Sequence, residues 1–251
     1  MNLTELLALP FEQWVWIIIA AVLVGFSKTG ISGAMMLVIP IVAAVFGGKE
    51  STGIILPMLL VGDFFAVKYY HRHADWKNIR QLLPWALIGL LFGVIVGSYI
   101  NDQQFKVLIA ISVLICLAIL VYSEKKGDSL VVPNAMWFYA LVGIACGFTS
   151  MIGNAAGPIF SIYLLAMAFK KNSFMGTAAW FFLIINATKV PLQVFFWHNI
   201  TWQTLTLVII VIPAIIVGAI AGIYVIKRIN EKPFRYMIIL MTGVAAVRLL
   251  L

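Results

Sequence analysis

"LVGFSKTGISGAMMLVIP" occupies residues 23–40. It is apolar at both ends and carries a lysine, two serines, a threonine and three glycines between them. A lysine inside hydrocarbon costs about 2.5–3.5 kcal/mol on insertion scales. Lys28 therefore needs a partner or a task. The surrounding chain says that the setting is hydrocarbon: 63% of the 251 residues are hydrophobic and 10% are charged, with a mean hydropathy of +1.07. A soluble chain of this length needs far more surface charge. Several apolar runs approach or pass the ~18 residues that mark a membrane span. The net charge of +8 sits in short loops between these runs. That is the pattern of cytoplasmic loops, not of a nucleic-acid-binding surface. Cys116 and Cys146 lie in apolar segments with no metal or redox spacing and read as packing residues. The N-terminal "MNLTELLALPFEQW" lacks the basic start of a cleavable signal peptide and is taken as mature sequence.

The chain repeats itself. "GFSKTG" at Gly25 returns as "GFTSMIG" at Gly147, and Gly53 with Asp63 returns as Gly176 with Asn186. Trp76 returns as Trp202, "GVIVGSY" from Gly93 as "GAIAGIY" from Gly218, and Phe105 as Phe234. The offset drifts only from 122 (Gly25 to Gly147) to 129 (Phe105 to Phe234). Matches in one order at nearly one spacing indicate a duplication. Residues 1–126 form the first repeat and 127–251 the second, within a single membrane domain.

Each half divides into five apolar pieces, near 14–28, 31–47, 52–70, 79–100 and 104–122, then 135–149, 153–169, 174–197, 203–226 and 234–251. The expected fold is an all-α polytopic membrane protein of about 8–10 membrane segments. Each half starts with a glycine-tipped hairpin of two short pieces, re-entrant or fully spanning, followed by three transmembrane helices. A hairpin that enters and leaves on one side gives each half an odd number of crossings, so the second half is expected to be inverted. Loop charges agree. "KYYHRHADWKNIR" (68–80) is basic and its counterpart "FFWHNITWQT" (195–204) has no Lys or Arg. "SYINDQQFK" (98–106) is nearly neutral and its counterpart "IKRINEKPFR" (226–235) is basic. The positive-inside rule then places both termini outside, with 12 Lys and Arg inside, 3 outside (Lys49, Lys106 and Arg248), and Lys28 and Lys189 within spans.

The two tips are the candidate site. Helix starts carry unpaired N–H groups and the positive end of the dipole, and glycines admit a ligand close to the backbone. Two such tips converging beside Lys28 form an anion site. The candidate binding residues are Ser27, Lys28, Thr29, Gly30, Ser32 and Gly33 in the first half, and Thr149, Ser150, Gly153, Asn154, Gly157 and Asn186 in the second. Asp63 and Lys189 are coupling candidates. Two readings stand for Lys28: it meets a transient anion, or it pairs permanently with Asp63 to hold the bundle together. Asp63 in turn is either a proton-coupling group or the neutraliser of Lys28. Lys189, nearer the outer end of its span, either serves the site or snorkels to the interface. Gly93, Gly97, Gly218 and Gly222 have the GxxxG spacing of a packing surface. His71, His73 and His198 read as loop residues rather than metal ligands, and no cofactor is expected.

At these residues the chain resembles the TauE/SafE sulfite exporter family, also described as anion permeases. The resemblance rests on "GFSKTGISGAMMLVIP", "GFTSMIGNAAGPIF" and "MGTAAWFFLIINATKVPLQ" (175–193), and on Trp76 and Trp202. Many members carry a triple glycine at each tip, where this chain reads "ISGAM" and "NAAGP". The resemblance implies a transporter of sulfite, organosulfonates or related sulfur oxyanions in a bacterial inner membrane. The expected partners are a small anion, the bilayer and a second copy of the chain as a homodimer, with no nucleic acid. Two rival functions differ in what they require. An intramembrane enzyme on a lipid phosphate needs a cluster of buried acids and an Arg near a tip, whereas Asp63 is the only acid deep in a span. A cation or proton-coupled carrier centred on Asp63 has a single carboxylate facing Lys28, a poor cation cage. No Walker motif is present to supply ATP chemistry.

Overall fold

The computed structural model describes residues 10–29, 34–126, 135–167, 169, 171–225 and the single positions 240, 244 and 247. Within them every regular element is helical: α1 (Phe11–Thr29), α2 (Ala34–Phe46), α3 (Gly48–Tyr70), a 3-10 turn (His71–His73), α4 (Trp76–Tyr99), α5 (Asp102–Lys126), α6 (Met136–Gly153), α7 (Gly157–Ala166), α8 (Lys171–Leu192) continuing into a π-turn (Gln193–Trp197), and α9 (Trp202–Val225). Seven of these segments are long and apolar enough to cross a membrane, and α2 is a shorter apolar helix. The linker 127–134, the first tip at Gly30, Ser32 and Gly33, and nearly all of the expected tenth piece lie outside the described residues.

The hairpins differ from the expected two short pieces. α1 has 19 residues and α6 has 18, about 28 and 27 Å at 1.5 Å per residue, whereas α2 has 13 and α7 has 10. The long arms run further because the polar residues of the tips continue the helix. Ser27 Oγ donates to Val24 O (2.9 Å), Thr29 Oγ1 to Gly25 O (3.3 Å) and Thr149 Oγ1 to Ala145 O (2.7 Å). Such back-bonding lets a hydroxyl sit in an apolar helix with its donor satisfied. The second turn is thus confined to Asn154–Ala156.

Close backbone contacts join the halves. A Cβ on Gly25 would lie 2.0 Å from Ile215 O, and one on Gly218 would lie 2.0 Å from Val22 O, so α1 packs directly on α9. One on Gly147 would lie 1.9 Å from Ala86 O, and one on Gly89 2.2 Å from Ile144 O, so α6 packs as closely on α4. The first piece of each half therefore meets the fourth piece of the other. In these contacts Gly218 corresponds to Gly89, one helical turn from the Gly93 that motif matching selects. The third pieces, α3 and α8, run antiparallel along each other. Gly53 abuts Asn199, Asp63 bonds to Asn186, and Gly176 abuts Tyr70 and His73. The short arm α7 is tied to α8 by Phe160 stacked on Phe181, with centroids 4.2 Å apart and planes 9° apart.

These contacts make a sharp contrast among glycines. Gly25→Ala and Gly147→Ala force a methyl into a neighbouring backbone, an overpacking that costs about 1–3 kcal/mol. Gly157→Ala meets nothing within 4 Å. Thermal melts of the detergent-purified variants are expected to show the first two well below the wild type and the third unchanged.

Candidate functional site

Where α1, α3, α6 and α8 come together, six polar side chains form one chain of contacts. Lys28 Nζ lies 2.6 Å from Asp63 Oδ1. Asn186 Nδ2 donates to Asp63 Oδ2 at 2.6 Å. Lys189 Nζ donates to Asn186 Oδ1 at 3.1 Å, to Ser150 O at 3.0 Å, to Ser150 Oγ at 3.2 Å, and to Asn154 Oδ1. Asp63 and Lys189 are 0% exposed and Asn186 is 2% exposed. Burying any of these groups unpaired would be expensive, and pairing is what the interior enforces. Chemistry also fixes both amides. An ammonium only donates and a carboxylate only accepts, so each asparagine turns its oxygen to Lys189.

Summed over formal charges, the network is not neutral. Lys28 and Asp63 cancel, and every contact of Lys189 is to a neutral oxygen among the described residues. With both lysines protonated, one positive formal charge is left over among these residues. Lys28 also sits 4.9 Å from the Phe182 ring centroid, a cation–π contact that eases its burial.

A cavity of about 70 Å³ adjoins this network. At roughly 10–15 Å³ per water it has room for several waters or one small ion. Both hairpins reach it. Ser27 and Lys28 come from the end of α1, Met35 and Met36 from α2, Ser150 from α6, and Asn154 and Gly157 from the second turn and the start of α7. Asp63, Asn186, Phe182 and Ser161 complete its wall, and most of the remaining lining is apolar.

Of the residues anticipated from sequence, Ser27, Lys28, Asp63, Ser150, Asn154, Gly157 and Asn186 are brought together at this cavity. Thr29 and Thr149 are spent on backbone carbonyls, the former also on Ala219 O at 2.7 Å. Gly153 faces Ile109 and Ile39 side chains. Gly30, Ser32 and Gly33 are outside the described residues. Lys189 does not snorkel. It turns inward because Ser150, Asn154 and Asn186 offer it oxygens that lipid does not. The sequence signal for this is the spacing Asn186-x-x-Lys189, which sets both on one helix face. Asn154 is left-handed (φ 54°, ψ 25°) and ends α6, with Asn154 N bonded to Ser150 O and Ala155 N to Thr149 O. Asparagine is the non-glycine residue best suited to that conformation, so the glycine-poor "NAAGP" still turns.

The family model described as Sulfite exporter TauE/SafE matches residues 17–249 of the chain. The chain belongs to the TauE/SafE sulfite exporter family. No curated protein and no solved structure matches it. As a TauE/SafE protein with seven apolar helices of spanning length among the described residues, it is an integral, multi-pass membrane protein of a transporter family. Nothing found supports the expected homodimer.

The ion pair makes Lys28 and Asp63 energetically inseparable. Lys28→Met leaves a buried carboxylate with one neutral donor, which costs about 3–5 kcal/mol when a buried pair is broken. The double variant Lys28→Met/Asp63→Asn removes both charges and is expected to recover most of the melting temperature lost by Lys28→Met. A double variant no more stable than the single one would mean that the pair does not hold the bundle.

Proposed function

We propose that this TauE/SafE protein is a secondary transporter that carries a small sulfur oxyanion, sulfite or an organosulfonate, through the cavity between its two hairpins. The observation that carries this reading is the excess positive charge of Lys28, Asp63 and Lys189 beside a cavity of small-ion size. A bound anion completes that charge balance, and buried charge is tolerated where it is paired. Gly157 and Pro158, at the start of α7, add the positive end of a helix and a backbone without a covering side chain.

Alternating access is supported by the reciprocal contacts of the halves. We read residues 1–126 and 127–251 as inverted repeats, because α3 and α8, equivalent in the duplication, run antiparallel and meet at Asp63 and Asn186. Rocking one repeat against the other then exposes the same site to either face. With the loop charges, this reading puts both termini outside the bacterial inner membrane.

Asp63 supplies a route to proton coupling. An anion approaching Lys28 competes with the Asp63 carboxylate, and a proton on Asp63 removes that competition. Proton and anion therefore favour each other's binding, which is linkage between two sites.

Three outcomes test this proposal. Sulfite at 100 times its Kd adds about 2.7 kcal/mol to the stability of the purified protein. Gly157→Val, placed where an added Cβ meets nothing within 4 Å, narrows the cavity and is expected to abolish sulfite flux into proteoliposomes without lowering the melting temperature. Asp63→Asn carries sulfite without dependence on a pH gradient. Normal flux through Gly157→Val rules out the cavity as the route.

A further inference from the structure

Lys189 is the most buried cation of the network, yet it is not among the residues that wall the cavity. What it does there follows from Asn154. The Asn154 side chain is more than nine-tenths buried, at 8% exposure, and lines the cavity. Its Oδ1 is held by the Lys189 ammonium. Its Nδ2 is buried and has no hydrogen-bond partner among the described residues. A primary amide bonded through its oxygen to a fixed donor has its N–H groups turned to the other side. Asn186 has the same relation to Lys189, but its Nδ2 already donates to Asp63. Asn154 thus lines the cavity and keeps one buried, unused donor, in a residue whose backbone is itself locked in a left-handed turn.

We propose that Asn154 Nδ2 is a specificity-determining donor for the transported oxyanion, and that Lys189 is a positioning residue that aims it. This deepens the reading of the cavity as an anion site and rests on it. Lys189 attracts any anion by its charge. Through Asn154 it also supplies direction, and direction separates an oxyanion, with lone pairs on discrete oxygens, from a spherical halide. A donor left without an acceptor in a buried site is costly, so the wrong ligand is rejected as well as the right one bound.

The test uses the full chain in detergent, with sulfite and chloride as probes and thermal stabilisation as the measure of each Kd. Asn154→Gly keeps every charge and keeps a residue suited to the left-handed turn, but removes the amide. Its sulfite Kd is expected to rise about tenfold or more, as for loss of a hydrogen bond to a charged group, with a smaller change for chloride. Lys189→Gln removes the charge and keeps an N–H for Asn154 Oδ1. It is expected to weaken both anions by the same factor, so that the preference for sulfite persists. Lys189→Met removes charge and donor together, and the preference falls to that of Asn154→Gly. Should Lys189→Met fail to fold, Lys189→Gln decides: a preserved preference supports positioning, and a lost one overturns it. An unchanged sulfite Kd in Asn154→Gly overturns the role of Asn154 while leaving the transport reading intact. A wild-type protein that sulfite does not stabilise overturns both.

Discussion

The centre of this molecule is organised by a buried lysine, Lys189, that bonds to no carboxylate among the described residues. Lys189 is fully buried in an apolar bundle, and its protons face oxygens from three places in the chain: the last turn of α6 at Ser150, the following turn at Asn154, and its own helix at Asn186. Hydrocarbon offers no substitute for these oxygens. The second hairpin must therefore end where Lys189 is. Through Asn186 and Asp63 the same constraint reaches Lys28, and with it the end of the first hairpin. One continuous set of polar contacts so fixes where both hairpins stop.

Glycine packing sets the scaffold that makes this convergence possible. α1 lies against α9, and α6 against α4, at backbone contact, in an interior where lipid gives no hydrophobic reward for helix association. Close packing and satisfied polar groups are the forces left. Each long arm is held along its length by a helix of the opposite half, so its tip is carried inward by rigid neighbours. The short arms, α2 and α7, fill the remaining depth, and the space they leave is the cavity. Gly157 faces that space rather than a helix, which separates it physically from the packing glycines.

Much of this was legible in the sequence. Composition required a membrane protein, the duplicated motifs marked the hairpins, and Lys28, Asp63, Ser150, Asn154 and Asn186 stood out as polar residues in apolar runs. Motif matching set Gly218 against Gly93, but the backbone contacts pair it with Gly89, because GxxxG spacing repeats every turn and fixes register only to within one. Thr29 and Thr149 looked like ligand donors, since a hydroxyl bonded to its own helix is indistinguishable in sequence from one that is available. Lys189 was harder still. A lysine near a helix end has a flexible stem that reaches either water or the interior, and only the position of Ser150 and Asn154, residues nearly forty places earlier in the chain, decides between them.

The two halves share their motif order and differ in charge, and the difference has a mechanical sense on the proposed reading. Where the first half has Lys28 and Asp63, the matching positions of the second have Ser150 and Asn186, with Lys189 placed to bond to both. The first half thus contributes a neutral pair and the second an unbalanced cation. A site with two unbalanced cations would hold an anion too firmly to release it, and a site with none would not draw it from water. On the proposed transport reading, with one cation screened behind asparagine amides and another already matched to a carboxylate, an anion would meet donors and an attractive field but compete with Asp63 for the nearest formal charge. Competition of that kind weakens binding without removing selectivity, and a carrier that must release its cargo on the far side depends on both.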